Sequence, residues 1–75
     1  MTDEQIDNIF TYHRPFGTQP GRYVEIRDRA GDLAHLLNSY CPESREKALA
    51  LTSLQQAVMW ANASIAINEK GPVSA

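Results

Sequence analysis

The stretch from Glu43 to about Asn68, which contains neither glycine nor proline, most constrains what this chain can fold into. Apolar residues recur in it at spacings of three and four, at Leu51, Leu54, Val58, Ala61 and Ile65. Such spacing places them on one face of a helix. Pro42 is expected to begin the helix and Gly71-Pro72 to end it. We therefore predict a long helix over residues 42–69, followed by a frayed tail at 73–75.

A second apolar pattern precedes this helix. It runs at spacings of 3, 4, 3, 4 and 3 through Tyr23, Ile26, Ala30, Leu33, Leu37 and Tyr40. Pro20 suits the first position of a helix, and the residues from Asn38 to Pro42 interrupt the pattern, so we predict a helix over 20–39 and a bend after it. Two helices joined by a short loop pack antiparallel. The long segments are therefore expected to form a hairpin.

A short helix is expected at the N-terminus. Thr2 and Gln5 match a capping box, and Ile6, Ile9 and Phe10 follow at helical spacing, so we predict a helix over residues 3–12. Pro15 opens a turn-rich connector. The fold class is all-α, with one domain over residues 1–75: a short N-terminal helix followed by a long antiparallel helical hairpin.

Residues 57–67 predict a helical homo-oligomer, because only Asn62 and Ser64 among them are polar. A helix that is apolar all round requires burial on every side. Five residues are expected to project away from the hairpin contact: Leu49, Met59, Trp60, Ala63 and Ile67. The alternative is a monomeric three-helix bundle in which the first helix folds across that exposed face.

Composition argues against several functional classes. Seven Lys and Arg against nine Asp and Glu give a net charge of -2, without the basic excess that DNA or RNA duplex binding requires. Cys41, the single cysteine, has no flanking His or basic cluster, and neither His13 nor His35 has partners at metal-ligand spacing. We expect no enzyme activity, no metal and no cofactor. No signal peptide or membrane span is recognisable, so we expect a soluble cytoplasmic protein.

Residues 10–15 carry the most informative chemistry. Phe10, Tyr12, His13 and Arg14 combine two aromatic rings, an imidazole and a guanidinium where a helix gives way to a loop. Aromatic rings beside a cation can hold bases and their phosphates. The alternative is that Phe10 and Tyr12 only pack the first helix onto the hairpin. Arg27, one turn from Tyr23, is a further candidate.

Polar residues of the third helix could hydrogen-bond a guest inside an apolar assembly, or make ordinary surface contacts. They are Thr52, Ser53, Asn62, Ser64 and Asn68. Gly31 marks a place where a ligand or a neighbouring helix approaches the backbone.

Three blocks, residues 9–15, 41–46 and above all 57–66 with Met59-Trp60-Ala61-Asn62-Ala63, carry a family resemblance. Over residues 5–69 the chain resembles the phage anti-CBASS cyclic-nucleotide sponges, whose helical hairpin domain is shared with the anti-Thoeris sponges. The resemblance implies a homohexamer in the cytoplasm of the infected bacterial host. It also implies sequestration, without cleavage, of cyclic dinucleotides such as cyclic GMP–AMP, and of cyclic trinucleotides at separate pockets, which blocks CBASS immunity.

The resemblance also implies residue roles. Tyr12 matches the base-stacking aromatic, and Arg27 falls where a basic residue, in other members also Lys, contacts the phosphate. Ile67 stands where trinucleotide-binding members are expected to carry a basic residue, so this chain departs from the family there. The candidate ligand-binding residues are Tyr12, Arg27, Phe10, His13, Arg14, Ser53 and Asn62. Two competing interpretations remain: a structural or adaptor hairpin that binds a protein partner, and a hydrolase that degrades the messenger.

Overall fold

The computed structural model describes residues 1–71, which form three helices and no strand. They are α1 (Asp3–Ile9), α2 (Gln19–Tyr40) and α3 (Arg45–Asn68). Hydrogen bonds from Gln19 and Arg22 to Glu69 join the beginning of α2 to the end of α3, so the two long helices run antiparallel. This confirms the predicted all-α hairpin. Pro72 and the predicted tail at 73–75 lie outside the described residues.

The N-terminal helix is shorter than predicted. The capping box is present, since Thr2 Oγ1 accepts from Gln5 N and Gln5 Oε1 accepts from Thr2 N. The helix ends at Ile9, so its predicted extension to residue 12 is wrong. The Thr11 hydroxyl donates to the Asp7 carbonyl at 2.5 Å. This bond replaces the backbone hydrogen bond that would continue the helix, so it favours the end of α1 at this point.

The third helix begins at Arg45, so the prediction that Pro42 begins it is wrong. Ser44 has extended backbone angles, φ -169 and ψ 166, and its hydroxyl accepts from Lys47 N, which makes Ser44 the N-cap. A serine that satisfies a free N–H of the first turn fixes the start more strongly than a nearby proline does. Glu43 therefore precedes the helix and pairs with Lys47 at 2.5 Å.

The contact face of α3 is the predicted one, because Leu51, Leu54, Val58, Ala61 and Ile65 are all half-buried. The face of α2 differs from the prediction. Leu33 is 44% exposed and Tyr40 is 79% exposed. Ala34 and Cys41 are half-buried in their place. A straight helix of 3.6 residues per turn drifts away from a 3.5-residue repeat, so the contact moves to the next residue.

No apolar side chain of residues 1–71 is fully buried, and the fully buried side chains among them are the polar Gln19 and Lys47. The radius of gyration is 16.0 Å, against about 11 Å for a compact domain of this length. The packing expected of a three-helix bundle is not formed, because every residue of α1 is exposed and the helix leaves Met59 and Trp60 uncovered. A single chain therefore leaves the apolar surface of its hairpin open.

Two residues that were expected to project from the hairpin are covered. Leu49, Met59 and Trp60 are exposed as predicted, with Trp60 at 75%. Ala63 and Ile67 are instead half-buried. The N-terminal segment lies over this end of α3, because Asn8 bonds to Ile67 and His13 lines a cleft with Ala63.

Candidate functional site

One hydrogen bond of Asn8 attaches the N-terminal segment to α3, and a second one holds His13 within that segment. The side-chain Nδ2 of Asn8 donates to the Ile67 carbonyl at 3.1 Å. That carbonyl is one of the last four of α3, which have few partners within the helix. The backbone carbonyl of Asn8 accepts from His13 Nε2 at 2.6 Å. We call Asn8, His13 and Ile67 the latch.

A second polar cluster, Gln19, Arg22 and Glu69, joins the ends of the two long helices, and we call it the clamp. Arg22 binds both carboxylate oxygens of Glu69, at 2.7 and 2.6 Å. Gln19, only 2% exposed, donates to Glu69 at 3.0 Å and accepts from the Phe16 N–H at 3.2 Å. The bond from Arg22, together with that from Gln19, lowers the pKa of Glu69 to about 2. The Glu69 carboxylate is therefore ionised, and both of its oxygens accept hydrogen bonds from the clamp.

Latch and clamp border two adjoining clefts. The first, of about 450 Å³, is the junction cleft, lined by Tyr12, His13, Arg14, Pro15, Phe16, Gln19, Ala66, Glu69 and Gly71. The second, of about 390 Å³, is the hairpin cleft, lined by His13, Tyr23, Arg27, Asn62, Ala63 and Ala66. His13 and Ala66 belong to both walls, so the clefts adjoin there.

The structure brings five of the seven candidate residues together at these clefts. Tyr12, His13 and Arg14 line the junction cleft, and His13, Arg27 and Asn62 line the hairpin cleft. Phe10 and Ser53 line neither. Phe10 is 83% exposed at the end of α1. Ser53 lies nine residues before Asn62 on α3, about 13 Å away along the helix.

The remaining polar candidates of α3 also lie outside the clefts. Thr52, Ser64 and Asn68 are exposed, and Asn68 Nδ2 donates to the Ser64 carbonyl at 3.0 Å. Asn62 differs from them, because its Oδ1 is buried and has no hydrogen-bond partner among residues 1–71. A buried acceptor without a partner costs stability until a donor reaches it.

The two arginines at the clefts differ from Arg22 and Arg29 in their ion pairing. Arg22 and Arg29 form ion pairs with Glu69 and Glu25. Within residues 1–71, Arg14 and Arg27 form none. Phe10 is 83% exposed and Tyr12 is 81% exposed, so within one chain neither ring packs α1 onto the hairpin, which contradicts that alternative. Two charged donors and an aromatic ring are thus available to an anionic, ring-containing guest.

Several residues of the site could not be recognised from the sequence. Gln19 and Glu69 are fifty positions apart, and Asn8 and Ile67 are fifty-nine apart, so no local spacing signals either pair. Gly17 carried a signal: its φ of 56 lies in the left-handed region that glycine enters without strain, and it turns the chain between Phe16 and Gln19.

A third, apolar groove of about 210 Å³ lies between the helices near Gly31 and Leu51. A Cβ on Gly31 would meet no atom within 4 Å, so packing among residues 1–71 does not require glycine there. The predicted approach to the Gly31 backbone is therefore not made by the described part of the chain itself.

Residues 2–66 match the family model described as Acb2/Tad1, hairpin domain. The chain belongs to the Acb2/Tad1 hairpin family. This confirms the resemblance to the anti-CBASS and anti-Thoeris sponges. The matched range covers α1, α2 and most of α3, and it contains the latch residues Asn8 and His13 and both unpaired arginines of the clefts. Searches of curated proteins and of solved structures gave no significant match.

Two further findings concern the described range of the Acb2/Tad1 hairpin. None of its helices has the length and apolar character needed to cross a lipid bilayer. Across residues 1–71, no three His, Cys, Asp or Glu side chains are grouped so that they could hold a metal ion.

Proposed function

We propose that this chain is a phage anti-defence sponge that binds cyclic dinucleotides, such as cyclic GMP–AMP, in the cytoplasm of an infected bacterium and holds them intact. The observation that carries the proposal is the pair of adjoining clefts bearing Arg14, Arg27 and the exposed ring of Tyr12. Membership of the Acb2/Tad1 hairpin family supports the same class of function.

The clefts match a cyclic dinucleotide in size and in charge. Each lies in the range of about 300–1,000 Å³ that is usual for small-molecule sites. Such a ligand carries two phosphates and two bases, and the clefts offer two unpaired guanidinium groups and a tyrosine. Because the chain has a net charge of -2, general attraction cannot supply the affinity, and these placed cations must.

The proposed active form is a homo-oligomer, and by family resemblance a hexamer. Leu49, Met59 and Trp60 are exposed, and residues 1–71 bury no apolar side chain fully. Both clefts are open in a single chain, whereas ligand pockets normally bury 70–90% of their guest. A neighbouring copy supplies the missing cover, so the complete pocket lies between chains.

Binding without turnover is supported by the chemistry of the cleft walls. Glu69, the carboxylate of the junction cleft, is occupied by Arg22 and Gln19. His13 Nε2 is occupied by the Asn8 carbonyl. Among residues 1–71, no serine or cysteine lines either cleft. Ile67 carries no charge and its carbonyl is occupied by Asn8, so we propose cyclic trinucleotides as the weaker class of ligand.

The test is a thermal-shift and calorimetric titration with cyclic GMP–AMP, followed by chromatography of the ligand released on heating. At 100 times the dissociation constant a ligand adds about 2.7 kcal/mol of stability, so the melting temperature should rise clearly. The linear dinucleotide of the same bases is the matched control. Absence of a shift would favour the adaptor interpretation, and recovery of linear product would favour the hydrolase.

A further inference from the structure

The Asn8 carbonyl fixes the tautomer of the neutral His13 ring. A carbonyl oxygen can only accept a hydrogen bond, so the proton of neutral His13 lies on Nε2, 2.6 Å away. Nδ1 is then left as a hydrogen-bond acceptor, and it has no partner among residues 1–71. His13 is half-buried in the wall that the two clefts share.

Asn8 is itself held in place by α3. Its Nδ2 donates to the Ile67 carbonyl, whereas α1 has no buried residue that could anchor it. One side-chain amide therefore connects the end of α3 with the carbonyl that orients the imidazole. Loss of that amide frees the carbonyl to move, and the imidazole with it.

A second acceptor lies in the same wall. Asn62 lines the hairpin cleft with His13, and its Oδ1 is buried and has no partner in the described part of the chain. A rotation of the Asn62 side chain toward the cleft would present this acceptor beside His13 Nδ1, and the two acceptors would then favour a guest that brings N–H groups to this wall. The arginines serve the opposite chemistry, because they donate to phosphate oxygens.

We propose that Asn8 is a positioning residue that locks His13 in the Nε2–H tautomer, so that His13 Nδ1, together with Asn62 Oδ1, selects ligands whose bases carry exocyclic amino groups. This proposal rests on the proposed function and adds a base preference to it. It divides the site into a phosphate-binding part at Arg14 and Arg27 and a base-reading part at His13 and Asn62.

The first readout needs no ligand. Nitrogen-15 NMR of the imidazole rings distinguishes the two neutral tautomers, and exposed His35 serves as an internal reference. We expect His13 in the Nε2–H form in the parent protein and a mixture in Asn8→Ala and Asn8→Asp. Asn8→Gln, which keeps the amide donor, should restore part of the lock. Asn68→Ala is the matched control, since that amide donates to a carbonyl of its own helix.

The second readout is the ratio of affinities for cyclic GMP–AMP and cyclic di-IMP, which share purine rings, sugars and phosphates. Cyclic di-IMP has no exocyclic amino group, because the 2-amino group of guanine is absent and the 6-amino group of adenine is replaced by a carbonyl oxygen next to a protonated N1. We expect the parent protein to favour cyclic GMP–AMP, and Asn8→Ala and His13→Ala to reduce that ratio about threefold to tenfold, the effect of one hydrogen bond. Asn68→Ala should leave it unchanged.

The outcomes separate this proposal from the proposed function. A mixed tautomer in the parent protein, or a ratio unchanged in Asn8→Ala, overturns the role of Asn8 while binding itself stands. If neither probe binds the parent protein, the proposed function fails and the base-reading role fails with it, whatever the tautomer.

Discussion

The two ends of the hairpin are held by different kinds of interaction. At the end where α1 meets α3, polar bonds link residues fifty and fifty-nine positions apart, from Gln19 to Glu69 and from Asn8 to Ile67. At the bend the bonds are local, such as Lys47 with Glu43, and Leu36, Tyr40 and Leu49 stay exposed. The first end is organised within one chain to form the clefts, whereas apolar surface elsewhere stays exposed in the single chain.

The largest expected effect is a change of oligomeric state when the exposed apolar surface of α3 is altered. Trp60→Glu should convert the proposed oligomer to free chains of 8.4 kDa, because an interface would have to desolvate an unpaired charge. The isolated chain should stay helical, since Trp60 is 75% exposed in it. Light scattering and circular dichroism check both outcomes. Gln56→Glu, on an exposed position of the same helix, is the control, and equal masses for the two variants would contradict the assignment of this surface.

The next effect is on ligand binding at the clefts. Tyr12→Ala and Arg27→Ala should each weaken cyclic GMP–AMP binding about tenfold to hundredfold, since one base stack contributes about 1–3 kcal/mol. Calorimetry measures this. Tyr40→Ala and Arg29→Ala are matched controls, because Tyr40 is equally exposed at the bend and Arg29 is paired with Glu25. Equal titration curves for variants and controls would place the pocket elsewhere.

A smaller effect concerns the stability of the clamp. Gln19→Ala removes the partner of the Phe16 N–H and one of the donors to Glu69. Loss of these bonds at a buried position should cost about 1–3 kcal/mol and lower the melting temperature by ~4 °C or more. Gln56→Ala, on the surface of α3, should change it little. A melting temperature that does not distinguish the two variants would mean that the clamp does not hold the hairpin end.

The smallest effect is the pH dependence of that clamp. The pKa of Glu69 is lowered to about 2 by the bonds from Arg22 and Gln19. Its contribution is therefore fully present above the unfolded pKa of about 4.5 and is lost as the pH falls toward 2. Melting temperatures measured from pH 6 to pH 2 should fall less steeply for Glu69→Gln than for the parent protein. Glu46→Gln is the control, and identical slopes for all three proteins would refute the coupling.

The sequence predicted what depends on local pattern. The capping box at Thr2, the apolar face of α3 and the surplus of apolar surface around Trp60 all follow from spacing, and the structure confirms them. Two predicted helix boundaries were wrong, the end of α1 and the start of α3. Hydrogen bonds of the Thr11 and Ser44 hydroxyls determine these boundaries.

The rest of the site depends on how the two helices align. Whether Leu33 or Ala34 faces α3 depends on how the contact line drifts along a straight helix. The spacing of apolar residues in the sequence does not reveal this drift. The clamp and the latch require the antiparallel register to be known first. Tyr12, Arg14 and Arg27 could be proposed by residue type, but their location at two adjoining clefts could not.

The most direct test of the account is a crystal structure of the protein with cyclic GMP–AMP. The account predicts intact ligand in the junction and hairpin clefts, with a base on Tyr12, phosphate oxygens at Arg27, and cover from a neighbouring chain. Density for a linear product, or for ligand bound away from Tyr12 and Arg27 on the outer surface of one chain, would contradict it.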